Sequence, residues 1–119
     1  MKKLLLLTGL LMLAPMVKGQ PPWWNAAEKA SAEAWLRTAH CQCEQSFAVD
    51  VDGPAIQIRV FNPLRSGSHE SAFTVNLHTV AIFHTHPNDS VPSREDKELE
   101  RRYRIPFFVI HGSDLIECR

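Results

Sequence analysis

Val80-Ala81-Ile82-Phe83-His84-Thr85-His86-Pro87, followed after a short loop by Pro92-Ser93-Arg94-Glu95-Asp96, decides how this chain is read. Val80 to Phe83 is an apolar run of the kind that fills a strand buried on both faces. Side chains at i and i+2 of an extended segment point the same way, so His84 and His86 converge where the strand runs out into a loop. Ser93 opens a helix predicted to reach about Tyr103, and Asp96 falls in its first turn. Ser93-x-x-Asp96 is a capping box in its own right, yet a short carboxylate there also reaches back towards the loop. Two neutral imidazoles and one carboxylate suit Zn²⁺ and leave a fourth tetrahedral position open for water. Neither half is decisive alone, since six histidines in 119 residues make one His-x-His pair common by chance. Their joint placement, at a strand's end and the next helix's start, points to a catalytic metal.

Upstream, Asn25-Ala26-Ala27-Glu28 reads as a helix N-cap with its reciprocal acid, opening an alanine-rich helix to about Thr38. Ser46 to Val51 and Ala55 to Phe61 read as strands joined by the turn Asp52-Gly53-Pro54. In the second, Ile56, Ile58 and Val60 alternate with polar residues, predicting one buried face. Residues 62–71 read as a loop, and Ala72 to Leu77 and Thr79 to His84 as further strands. After the second helix, Pro106 marks a break, and Phe107 to Ile110 with Leu115 to Cys118 form a closing hairpin around His111-Gly112-Ser113-Asp114. This order of elements predicts an α/β fold.

Residues 1–19 read as a signal peptide: Lys2 and Lys3, an apolar run from Leu4 to Leu13, then a cleavage site ending at Gly19. Residues 20–119 form one domain. The apolar run is too short to span a bilayer comfortably, so the expectation is an exported protein, periplasmic or secreted, with no stable membrane insertion after cleavage. The whole chain has 13 basic and 13 acidic residues; losing Lys2, Lys3 and Lys18 leaves 10 against 13. Such a balance gives no electrostatic footprint for nucleic acid. Oligomeric state is left open.

Export favours disulfides, and three cysteines leave one over. Cys118 with Cys41 or Cys43 would tie the last strand to the segment after the first helix. A Cys41–Cys43 link would close a very small ring. The sequence leaves the choice open.

The run from Val80 to Pro87 with Ser93-x-x-Asp96 resembles the JAMM (MPN-plus) zinc metallopeptidase motif, and Pro92-Ser93-Arg94-Glu95-Asp96 is closest to its bacterial RadC-like branch. The resemblance implies a cytidine-deaminase-like fold of α-β-α layers, with a central mixed sheet flanked by the N-terminal helix and the helix after the His-x-His strand. It implies one Zn²⁺ per chain on His84, His86 and Asp96, Ser93 polarising the scissile carbonyl, and a glutamate on an earlier strand as general base. Glu44, just before the strand from Ser46, falls where that glutamate belongs; Glu70, in the loop before Ala72, is the competitor. Two departures stand out: the loop between His86 and Ser93 is one residue shorter than usual, and Phe47 stands where a glycine usually follows the base. The implied partner is a protein or peptide substrate cleaved at a peptide or isopeptide bond. Export makes ubiquitin an improbable one.

Two other classes are consistent with the residues. Cys41, Cys43, His84 and His86 would make a closed structural zinc site, and a domain of the same fold without metal would be a binding module. His69, His78 and His111 have no partner at ligand spacing and read as surface or turn residues; His40 is of interest only for its neighbours Cys41 and Cys43.

Overall fold

A computed structural model describes residues 19–62 and 73–119. Of the expected leader only Gly19 is among them, and His69 and Glu70 lie outside. The elements run α1 (Trp24–Cys41), β1 (Ser46–Asp52), β2 (Ala55–Phe61), β3 (Thr79–Thr85), α2 (Arg94–Tyr103), β4 (Phe107–His111) and β5 (Asp114–Glu117). The strands form one mixed sheet in the order β2-β1-β3-β4-β5. β3 and β4 pair in parallel and every other neighbouring pair is antiparallel. The chain is thus a mixed α/β fold of five strands and two helices.

Each face of the sheet has its own core. Phe47, Val49, Ala81, Phe83, Phe108 and Ile110 face Ala27, Ala30 and Ala34 of α1. The rings of Phe47, Phe83 and Phe108 stack across three strands, with centroids 4.8 and 4.6 Å apart. Alanines on α1 let its backbone approach this aromatic row closely. On the other face, Ala48, Ile82, Phe107, Val109 and Cys118 pack with Leu99 of α2 and with Phe73 and Val75. Parallel strands need a crossover, and α2 supplies it between β3 and β4.

Several expectations change. α1 begins one residue before Asn25, with Trp23 at the cap position and no side-chain cap. Trp24 N–H donates to Pro21 C=O at 3.0 Å, and both tryptophans contact the Phe83 ring, so aromatic packing sets the start in place of a polar cap. The strand expected over Ala72 to Leu77 is not formed among its described residues, 73–77. Both edges of β3 are already taken, by β1 and β4, and this segment instead crosses the sheet face. The buried face expected of β2 is only half covered: Ile58 packs on the α1 side, but Ile56 and Val60 are exposed. β2 is an edge strand, and α1 lies over the middle of the sheet. Gly53, at φ +59°, supplies the left-handed residue that a two-residue hairpin loop needs first.

Cys41 and Cys43 form a disulfide, with Cα atoms 5.2 Å apart. The longer link to Cys118 is not made, because Cys118 is buried in the core on the face opposite α1. Among the described residues no helix is long and apolar enough to cross a membrane.

A polar knot sits where the β1–β3 register shifts, at Val49 and Asp50. Arg59 donates to both Asp50 oxygens, Nε at 2.7 Å and Nη2 at 3.2 Å, and Thr79 Oγ1 donates to Oδ1 at 2.8 Å. Thr74, from the crossing segment, accepts from Arg59 Nη1 at 2.6 Å. The Arg59 guanidinium holds the Asp50 carboxyl below its ordinary 3.8 against the opposing effect of burial. A depressed carboxylate adds stability above its unfolded value, and that stability is lost as pH falls through the folded value. Asp50→Ala should therefore cost about 2–3 kcal/mol at neutral pH, since it strands a half-buried guanidinium. Urea unfolding at pH 7 and below 3.8 checks this: the gap between variant and parent should shrink in acid.

Candidate metal centre

The strand that carries His84 is the middle strand of five, and its carboxyl end opens beside the start of α2. His84 is buried and pairs across the sheet with Ser46 on one side and Val109 on the other. His86 lies just past the strand, yet its peptide is held as if still in the sheet. Its N–H donates to Ile110 C=O at 3.0 Å, and its C=O accepts from His111 Nδ1 at 2.9 Å. His111 rests against the Trp35 ring at 5.1 Å. Between the two histidines, Thr85 shares a 2.5 Å hydrogen bond with Thr38 of α1 and accepts from Gln45 N–H at 2.9 Å.

The capping box at the head of α2 forms in full. Asp96 N–H donates to Ser93 Oγ at 3.0 Å, and Ser93 N–H donates to Asp96 Oδ2 at 2.8 Å. The box and the metal reading do not compete, because the cap aims the carboxylate at the histidines. Asp96 Oδ1 lies 3.1 Å from His84 Nε2, and Oδ2 lies 3.3 Å from His86 Nε2. The two Nε2 atoms are 3.0 Å apart. A tetrahedral ion with bonds of about 2.0 Å spaces its ligand atoms about 3.3 Å apart, and the nitrogen pair, and each nitrogen with its nearest Asp96 oxygen, lie close to that spacing.

Glu44 joins them from the segment between α1 and β1. It makes with His84 and His86 a group whose ligand atoms all lie within 4.8 Å of one another and which could hold a metal ion. The four residues line a cleft of about 720 Å³ together with Ser93, and Phe73, Ile82, Leu99 and Phe107 form its apolar wall.

The electrostatics follow from this crowding. Burial alone would push the Asp96 carboxyl up, but hydrogen bonds from His84 and His86, the charge of His84 and the Ser93 N–H hold it well below the usual carboxylate range. His86 is raised above its ordinary 6.5, chiefly by its hydrogen bond to Asp96, with Glu44 and Asp89 adding negative charge nearby. Two Nε2 lone pairs at 3.0 Å require a cation or a proton between them. Loading a metal here displaces protons.

Neither a family's sequence profile nor a curated protein matches the chain.

Of the residues singled out from the sequence, His84, His86, Asp96 and Glu44 come together, and Ser93 lines the same cleft. Glu70 lies outside the described residues. The closed site of Cys41, Cys43, His84 and His86 does not form, because the two sulfurs are bonded to each other, and a metal needs thiolates. His40 is exposed on α1. His111, read from the sequence as a turn residue, instead steadies His86. No local pattern marks it, since its role depends on β4 lying parallel to β3. The same holds for Thr38 and Thr85, which meet across 47 residues of sequence.

Proposed function

We propose that this protein is an exported zinc-dependent hydrolase of peptide or isopeptide bonds, of the JAMM (MPN-plus) type. The observation that carries the reading is the convergence of His84 Nε2 and His86 Nε2, 3.0 Å apart, on the Asp96 carboxylate, one oxygen 3.1 Å from the first and the other 3.3 Å from the second, with Glu44 beside them. Two imidazoles and one carboxylate are a donor set that zinc accepts while keeping a position for water. Bound there, Zn²⁺ would supply Lewis acidity and bring the pKa of a coordinated water near neutrality.

The chain's own residues supply the rest. Glu44 takes a proton from the attacking water and delivers it to the departing amine. Ser93 Oγ is occupied as an acceptor by Asp96 N–H, but a hydroxyl keeps its own proton to donate. Through that proton, which stays on Ser93, the hydroxyl donates a hydrogen bond to the carbonyl oxygen of the substrate as negative charge develops there. Phe73, Leu99 and Phe107 give the cleft an apolar side that limits water around the reacting amide.

The test is metal content and chelator response. Protein reconstituted with Zn²⁺ and dialysed should retain one ion per chain. Zinc at a hundred times its Kd should add about 2.7 kcal/mol to the unfolding free energy. A mixture of internally quenched peptides should be cleaved, cleavage should stop on chelation, and zinc should restore it. Failure to retain zinc after reconstitution would sink the enzyme reading and leave a metal-free binding domain.

A further inference from the structure

We propose that the Cys41–Cys43 disulfide is a thiol-exchange site whose oxidation state sets the position of Glu44, with a small reducing thiol as its reactant. The proposal rests on Glu44 being part of the metal centre's machinery.

The span of the link is the first argument. Structural disulfides gain most from closing long loops, and this one joins residues only two apart. Its effect on the unfolded chain is therefore small, and its effect on the folded chain is local. Locally it joins the end of α1 to the residue immediately before Glu44. Gln42, enclosed by the link, takes the left-handed φ of +52°, which non-glycine residues adopt at a cost. Its N–H still donates to Thr38 C=O at 2.8 Å, closing the helix.

Glu44 is thus held from both sides. Downstream, Gln45 N–H donates to Thr85 Oγ1, and Thr85 N–H donates to Gln45 C=O, both at 2.9 Å. Upstream, Cys43 is anchored by the disulfide. Breaking the bridge removes the upstream covalent hold on the backbone that carries Glu44, while the Gln45–Thr85 hydrogen bonds and the contacts among His84, His86 and Asp96 do not depend on it.

The exchange itself is well set up. Cys41 is partly exposed and Cys43 is fully buried, so an incoming thiolate reaches the Cys41 sulfur. A new S–S bond forms there, the old one breaks, and the electron pair leaves on Cys43. Gln45 Nε2, 3.2 Å from either sulfur, donates to that leaving thiolate. Arg37 Nε holds the same amide through its oxygen at 3.2 Å. Negative charge on Cys41 would instead face the carbonyl end of α1, which disfavours it. A second thiolate then attacks the small-thiol sulfur of the mixed disulfide; the electron pair leaves on the partly exposed Cys41, which takes a proton from solvent as Cys43 does. Overall two small thiols give up two electrons and two protons and leave as their own disulfide. Cys118 takes no part: it is buried, and burial pushes its thiol up to about 12.

The full, zinc-loaded chain should be equilibrated in graded reduced and oxidised glutathione, and thiols counted by alkylation and mass. As the two new thiols appear, amide hydrogen exchange over 41–46 should quicken at least tenfold while 79–85 is unchanged. Zinc content should hold, and cleavage of the quenched-peptide mixture should fall about 100-fold, the loss expected of a group displaced by about 1 Å. Oxidised glutathione should reverse all of it. Cys41→Ser, at the more exposed position, should show the reduced behaviour in every buffer, and Cys118→Ala should respond as the parent does. The proposal is overturned if the thiols appear with exchange and rate unchanged, or if zinc leaves with reduction. An exchange response without hydrolysis in either state would strike the hydrolase reading alone and leave the coupling to Glu44 standing.

Discussion

Asp96→Asn should leave a folded protein that no longer holds zinc. Asparagine keeps the shape of the carboxylate and one carbonyl oxygen, so it can still accept the Ser93 N–H and start α2. What it loses is the charge shared by the two imidazoles at 3.1 and 3.3 Å. Two neutral nitrogens and a weak amide oxygen then face the ion in place of a set that carries one negative charge. Outer-shell changes at metal centres already cost 10 to 100-fold in affinity, so loss of a direct ligand should exceed about 100-fold. Competition with a chromogenic chelator measures it. Affinity within a few-fold of the parent would remove Asp96 from the ligand set and return it to a plain helix cap.

Glu44→Gln separates a base from a ligand. Glu44 lies close enough to His84 and His86 to bind a metal directly, so its role does not follow from proximity alone. As a base, it contributes to the proton transfers and not to holding the ion. The variant should then keep its zinc affinity, leave KM nearly unchanged and lose 10²- to 10⁴-fold in kcat. If zinc affinity falls as it does for Asp96→Asn, Glu44 is a ligand. If the rate is unchanged, the base is elsewhere, and Glu70 is the next residue to replace.

The parts of the site that could be read from the sequence are those that are local. His84 and His86 are two residues apart on an apolar strand, and Ser93 and Asp96 form a box within one helical turn; both patterns survive whatever surrounds them. Glu44 is different, because no local pattern marks it, and only the resemblance to a metallopeptidase motif singled it out. Thr38 meeting Thr85, and His111 meeting the His86 carbonyl, depend on strand order and helix placement, which no short window contains. The disulfide was legible only as three open pairings, since the choice turned on which face of the sheet Cys118 occupies. Likewise the alternation in β2 is a correct strand signal. How far α1 reaches across the sheet, which decides whether Ile56 and Val60 are covered, is not written in that strand.

The division of the centre between β3 and α2 bears on how the molecule holds together. β3 is paired on both sides and lies under the stacked phenylalanines, whereas α2 has ten residues and buries only Asp96. Regions with so little buried surface open at a small fraction of the global unfolding free energy. An ion held by His84, His86 and Asp96 would therefore act as a rivet, fastening the least anchored element to the most anchored one. Loading the centre would complete the chemistry and, in the same event, pin down the helix that forms one wall of the cleft.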